Sequence, residues 1–219
     1  IYYNSDEFSA LPFKVKFDNN NFNAFYNENF EVKVTLTGES KPENLYLVYD
    51  NRKIKLKKTG KNTYSYEIKR IKRNTQISIE TTGYQSNKEE IKVFKRPRLT
   101  NFELAVQYPA YLRKQSESFS NLGNISLPEG TKVNWIFKTD EAEEMWIAFG
   151  EEEEKELKKS ILADKFNFEK KIYKSSRYNI KLQNKHSANK EKIQYRINVI
   201  KDEYPKINAE QFTDSSLFN

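Results

Sequence analysis

His186 is the single histidine of the chain, and there is no cysteine. A metal site built on imidazole or thiolate needs several such groups at short spacing, and an activated nucleophile needs a base held beside it. His186 lies instead in the polar run Gln183 to Lys190, which the spacing of the flanking segments predicts to be a hairpin loop. The six glycines are scattered, so no glycine-rich phosphate loop exists. G-x-S-x-G, H-E-x-x-H and the D-x-D-x-D-G calcium loop are also absent. Carboxylates are plentiful, yet nothing in their spacing sets two of them across a pocket, as glycoside hydrolysis requires. The sequence therefore predicts no catalytic residue, no metal site, no cofactor and no enzyme activity.

Binding is the chemistry that remains. Arg52 to Lys58 alternates as a strand, with Lys53, Lys55 and Lys57 on one face and Ile54 and Leu56 on the other. Together with Lys69, Arg70, Lys72 and Arg73 it could form a basic ridge for a polyanion, either nucleic acid or an anionic glycan. The plainer reading is an edge strand whose lysines block strand-to-strand aggregation. Nucleic acid is disfavoured as a partner, because sheet-based readers interleave aromatics with their basic residues and here the alternating partners are aliphatic. The matching place in the second half carries Glu151 to Glu154, of opposite sign. These two strips could pair head to tail between molecules, or the acidic one could be a solvated loop or short helical turn. Tyr46 and Trp146 occupy matching positions, opposite the faces of Leu45/Leu47 and Met145/Ile147. Exposed there, they would form a platform for a glycan; covered by a neighbouring strand or domain, they would be packing residues.

The elements that carry these residues are strands. Phe13, Val15 and Phe17 alternate, then Asp18 to Asn21 supplies turn residues. Phe30 to Leu36, Leu45 to Tyr49, Arg52 to Lys58, Tyr64 to Ile68, Thr75 to Glu80 and Glu89 to Phe94 follow at spacings of 8–12 residues. The stretch Leu99 to Phe137 begins a second such series. It reads as an edge strand (Phe102, Leu104, Val106), a break at Tyr108-Pro109, a polar loop, then two strands divided by Pro128-Glu129-Gly130.

This second half repeats the first. Val32, Val34 and Leu36 are matched by Val133, Trp135 and Phe137; Leu45 to Tyr49 by Met145 to Phe149; Tyr64 and Tyr66 by Phe166 and Phe168. Ile77 and Ile79 answer Ile180 and Leu182. An ordered set at a nearly fixed offset of about a hundred residues is the signature of a duplicated module. The predicted fold is all-β: two tandem immunoglobulin-like β-sandwich domains of about seven strands each. The boundaries fall at 1–97 and 98–205, with 206–219 leading into a further domain.

Composition agrees with that class. Hydrophobic residues make up 37% of the chain, a low share partly offset by 15 Phe and 14 Tyr, which favour strands and bury much area each. The net charge of +7 sits mainly in the first half, where 18 basic residues face 12 acidic ones up to Arg96. Such an excess favours either an anionic partner or simple solubility. No apolar run reaches the 18 or so residues of a membrane span. The chain starts at Ile1 and stops at Phe218-Asn219 as an aromatic run begins, so it reads as a fragment.

Phe102-Glu-Leu-Ala-Val-Gln-Tyr-Pro-Ala-Tyr111, followed by Gly123-Asn-Ile-Ser-Leu-Pro-Glu-Gly-Thr-Lys-Val133, resembles a family of large, membrane-anchored Gram-negative bacterial envelope proteins of unknown function. The family pattern is F-x-L-x-x-x-Y-P-A-Y … G … P-x-G-T-x-V-x-W. Tyr2-Tyr3-Asn4 with Leu11-Pro12-Phe13, and Asp202-Glu203-Tyr204-Pro205, look like the same family. Where family sequences carry Thr-Gly after Tyr-Pro-Ala-Tyr, this chain has Leu112-Arg113. The resemblance implies tandem immunoglobulin-like domains in an extracytoplasmic (periplasmic) position. It also implies membrane helices upstream of Ile1, further modules downstream of Asn219, and protein partners in the envelope. The membrane would be met only through segments outside this chain.

Overall fold

The structure is a computed structural model and describes residues 12–39, 42–157, 159–160 and 165–201. The chain divides into two compact units, Ile1–Arg96 and Pro97–Asn219. The first unit contains β1 (Phe13–Phe17), β2 (Asn23–Phe25), β3 (Glu28–Gly38), β4 (Tyr46–Tyr49) and β5 (Arg52–Lys55). It continues with β6 (Lys57–Lys58), β7 (Thr63–Ile71), β8 (Thr75–Thr81), β9 (Tyr84–Gln85) and β10 (Glu89–Phe94). One sheet has the order β1-β3-β7-β6; the other has β2-β10-β8-β4-β5, with β9 extending β8.

The second unit contains β11 (Arg98–Gln107), β12 (Glu117–Ser120), β13 (Ile125–Pro128), β14 (Thr131–Asp140), β15 (Glu144–Phe149) and β16 (Lys155–Leu157). Then come β17 (Lys159–Ser160), β18 (Lys165–Ile172), β19 (Ser176–Asn184), β20 (Ser187–Ala188) and β21 (Ile193–Ile200). Its sheets are β12-β11-β14-β18-β17 and β13-β21-β19-β15-β16, with β20 extending β19. Apart from β12, the two units have one strand order. In each, the opening strand is split between the sheets, and its second piece runs parallel to the last strand, β2 beside β10 and β13 beside β21. Each unit is an immunoglobulin-like sandwich.

Period two explains where the cores sit. Val32, Val34 and Leu36 are fully buried while Lys33 between them is exposed and Thr35 half-buried, and in β14 the buried Val133, Trp135 and Phe137 alternate with the half-buried Asn134 and Ile136. Burying one such side chain contributes about 1.5–3 kcal/mol. The turn between the split strand and the next one is also shared. Asn27 and Gly130 both take positive φ, 62° and 78°, and both donate their N–H to the end of the next sheet's strand, at Ile71 O and Ile172 O. Asparagine and glycine are the residues that tolerate this region best.

Four details depart from the sequence reading. The segment Arg52 to Lys58 is not one strand: β5 pairs with β4, and β6 pairs with β7 in the opposite sheet. Leu56, 3% exposed, lies at the crossing and is the anchor that directs it inward. Phe102 to Val106 is not an edge strand, because β12 pairs along its outer side. That strand has one apolar residue, Phe119, so periodicity could not reveal it. The short β2 also escaped notice. Finally, strand pairing moves two of the sequence matches by two residues. Val34 faces Tyr64 as Phe137 faces Phe166, and Leu47 faces Ile79 as Ile147 faces Ile180, so Val34 corresponds to Phe137 and Ile79 to Ile180. A shift of two keeps every side chain on its own face, so the alternating pattern could not tell these matches apart. The expectations for residues 1–11 and for 202–219, including the lead-in segment 206–219, lie outside the described residues.

Candidate functional site

Tyr46 and Trp146 sit at matching places on β4 and β15, on the outer face of their sheets. Neither is a bare platform: both are half-buried, and each ring is capped by a lysine. Lys53 Nζ lies 5.0 Å from the Tyr46 ring centroid and Lys181 Nζ lies 5.1 Å from that of Trp146. An exposed cation–π contact of this kind contributes about 0.5–1 kcal/mol. Lys53 comes from the strand on one side of β4, and Lys181 from the strand on the other side of β15. The carboxylates that pair with them are exchanged likewise. Lys53 binds Glu80 at 2.9 Å, and Lys181 approaches Glu154 at 3.8 Å. Register shows why: Glu80 is opposite Tyr46, as Lys181 is opposite Trp146. Lys55 is opposite Tyr46 and Glu156 opposite Trp146, which makes Glu154 the counterpart of Lys53. The two units thus carry one cross-strand ion pair with its signs reversed.

This reversal accounts for the opposite charge of the basic and acidic strips without any second molecule. Glu152 is also engaged, with Lys170 Nζ at 2.6 Å, and the run Glu151 to Glu154 forms a turn and an extended lead into β16, not a helix. The lysine ridge is likewise less continuous than the sequence suggested. Lys53 and Lys55 are carried by one sheet and Lys57 by the other, and Arg73 is held by Asp50 at 3.1 Å.

Beside Trp146 the second unit has an open groove of about 460 Å³. Its floor is Ala148 opposite Asn179, the next outward positions on β15 and β19, and the chain from Ala188 to Ile193 forms its far side. The alanine leaves a dip where the first unit has Val48, and Asn179 stands where that unit has the buried Ser78. Asn179 Oδ1 is buried and has no hydrogen-bond partner among the described residues. An orphaned acceptor of this kind costs about 1–3 kcal/mol. Sequence reasoning missed Asn179, although an asparagine between Tyr178 and Ile180 in a central strand runs against strand preference and was a signal to follow.

The residues that carry the family resemblance have structural positions. Phe102, Leu104, Val106, Val133 and Trp135 are core. Tyr108 donates to Glu117 Oε2 at 3.1 Å, tying the break to β12; burial and that carboxylate push its hydroxyl pKa up. Pro109 lies against Gly130, whose added Cβ would come within 3.7 Å of Pro109 Cγ. Thr131 Oγ1 donates to Pro128 O at 2.6 Å. Gly123 O accepts from the buried Tyr178 hydroxyl at 3.0 Å, and a Cβ on Gly123 would meet the Tyr195 ring at 2.1 Å. Burial drives the Tyr178 pKa well above its ordinary value. Arg113, at the place of the family's glycine, closes the 3-10 turn Ala110–Leu112 in the left-handed region, with φ 49° and ψ 28°.

His186 is exposed in the turn between β19 and β20, where its backbone N–H donates to Asn184 Oδ1. Among the described residues no group of three or more His, Cys, Asp or Glu side chains could hold a metal ion, and no helix is long and apolar enough to cross a membrane.

No family model and no curated protein sequence matches this chain. Solved structures do. The fibronectin(III)-like modules of Clostridium thermocellum CbhA are 10% identical, with a TM-score of 0.37 over 90% of this chain and 100% of that one. A three-immunoglobulin-domain piece of titin is 12% identical, with a TM-score of 0.41 over 85% and 66%. Bovine butyrophilin is 9% identical, with a TM-score of 0.38 over 84% and 97%. Likeness at these levels concerns fold alone, and here the strand order itself assigns the sandwich.

Proposed function

We propose that the two sandwiches are non-catalytic structural and protein-interaction modules from the extracytoplasmic region of a membrane-anchored bacterial envelope protein. The supporting observation is where the residues of the family pattern go. Most that are described serve the sandwich: core positions on β11 and β14, the Tyr108–Glu117 tie, the Pro109–Gly130 contact, and Gly123 beneath Tyr195, while Ala110 and Tyr111 are exposed. Residues kept for chemistry would converge on a cleft, whereas these specify a shape. Arg113 strengthens the resemblance, because the chain departs from the family at a position whose left-handed φ suits the glycine it lacks. Self-contained sandwiches in tandem offer outer faces for contact, which is the work of a structural and docking element.

The experiment is crosslinking and affinity capture of the full-length protein from the cells that make it, after separating membrane from soluble fractions. Recovery in the envelope fraction with a reproducible protein partner supports the proposal. Recovery in the soluble fraction, or turnover of a small substrate by the pure protein with no partner captured, refutes it.

A further inference from the structure

We infer that the groove beside Trp146 is a saccharide-binding site belonging to the second unit alone. This goes beyond the structural and docking role and stands independently of it. The groove combines an aromatic ring, an orphaned acceptor and a loose ion pair within a single sheet face. Trp146 and Lys181 are directly opposed on β15 and β19, and Ala148 and Asn179 are the next opposed pair on that face. Asn179 Oδ1 is buried and without a partner among the described residues; turning the side-chain amide of this groove-lining residue would bring the oxygen to the groove, where a ligand hydroxyl can donate to it. Lys181 offers donors, and Glu154, 3.8 Å away with more than half of its side chain exposed, offers acceptors. A ring that bears hydroxyls on its rim and C–H groups on its faces satisfies all of these at once. Hydroxyls both give and take hydrogen bonds, and the C–H face suits the indole. The space, about 460 Å³, is that of a small-ligand cleft, which runs to roughly 300–1,000 Å³.

An extended peptide fits less well. β19 is already paired on both sides, by β15 and β21, so no strand edge is open at the groove floor for backbone addition. Three lysines and two glutamates line the groove (Lys181, Lys190, Lys192, Glu154 and Glu191), which suits a neutral sugar or one with a single carboxylate, not a polyanion. The first unit lacks the feature: Val48 fills the dip, and Ser78, at the place of Asn179, is 3% exposed.

The test uses the whole 219-residue chain, titrated with neutral oligosaccharides and with uronic-acid-containing ones, and followed by calorimetry and tryptophan fluorescence. At least one series should bind saturably, and both Trp146→Ala and Asn179→Ser should weaken it by about tenfold or more. Tyr46→Ala should leave it unchanged. Lys181→Ala should weaken uronic-acid ligands more than neutral ones if the carboxylate is the feature read, and both equally if hydroxyls are. Asn179→Ser installs the first unit's own residue, and an unchanged melting temperature confirms that the fold is intact. Absence of saturable binding by either series up to roughly 10 mM, or binding that survives both Trp146→Ala and Asn179→Ser, overturns the inference.

Discussion

Gly123→Ala is the sharpest perturbation of the second unit. Its φ is ordinary, so backbone strain is not at issue; the conflict is steric. The new Cβ would lie 2.1 Å from Tyr195 Cδ1 and 2.3 Å from Cγ, distances that real Cβ atoms do not adopt. The ring has little room to retreat, because it packs 5.3 Å from Phe102 and 5.5 Å from Tyr178. Forcing an extra methyl into such a place costs about 1–3 kcal/mol. If the shift also draws Gly123 O away from the Tyr178 hydroxyl, a buried donor loses its partner at a further cost of about 1–3 kcal/mol. A total of about 2–6 kcal/mol lowers the melting temperature of a hundred-residue domain by roughly 10–30 °C. Both tryptophans, Trp135 and Trp146, belong to the second unit, so tryptophan fluorescence reads its unfolding alone. Removing the obstructing ring should remove most of the penalty: in a Tyr195→Ala background the same substitution should cost less than about 1 kcal/mol. A shift below about 2 °C in the tryptophan-reported transition, or an equal cost in both backgrounds, would refute the steric reasoning.

Other consequences can be measured on the same protein. Lys53→Glu should destabilise the first unit by up to about 1 kcal/mol, since the pair is largely solvent-screened, and adding Glu80→Lys should recover the loss by reproducing the sign order of the second unit; a double-mutant thermal cycle reads this. Arg113→Gly should raise the tryptophan-reported transition by a few degrees, equivalent to about 0.5–1 kcal/mol, by relieving the left-handed conformation. Burial raises the hydroxyl pKa of Tyr178 and Tyr195, and that of Tyr49 to about 12, with Tyr66 contributing to the last. A group whose folded pKa is raised contributes stability that is full below its unfolded pKa near 10 and is lost as pH rises through the folded value. Alkaline titration from about pH 9 to 12 should therefore show falling stability, and Tyr178→Phe should flatten the profile of the second unit while lowering its neutral-pH stability. Arg96→Ala should destabilise the first unit by about 1–2 kcal/mol, since Arg96 grips Glu28 at 2.7 Å, both partly buried, and lies 3.7 Å over the Phe25 ring.

What the chain determined by itself is the local alternation and its duplication. Val32-x-Val34-x-Leu36 and Val133-x-Trp135-x-Phe137 can bury their apolar set only as strands, and period two needs no distant partner to be read. The turn chemistry of Pro128-Glu129-Gly130 marks a strand end for the same local reason, and Gly130 takes positive φ there. What tertiary structure decided is everything that depends on the neighbouring strand. Leu56 sends half of an apparently continuous strand to the opposite sheet, because burial between the two layers outweighs straight propagation. That Ile79 corresponds to Ile180 and not to Leu182 is a difference of two residues, which leaves the apolar pattern unaltered, so only strand pairing reports it. The exchange of Lys53–Glu80 for Glu154–Lys181 joins residues 27 positions apart in chain order, and only strand adjacency makes each a pair. Asn179 stands out in the sequence only as an asparagine within a strand; it becomes an orphaned acceptor only once β15 and β21 close against either side of β19.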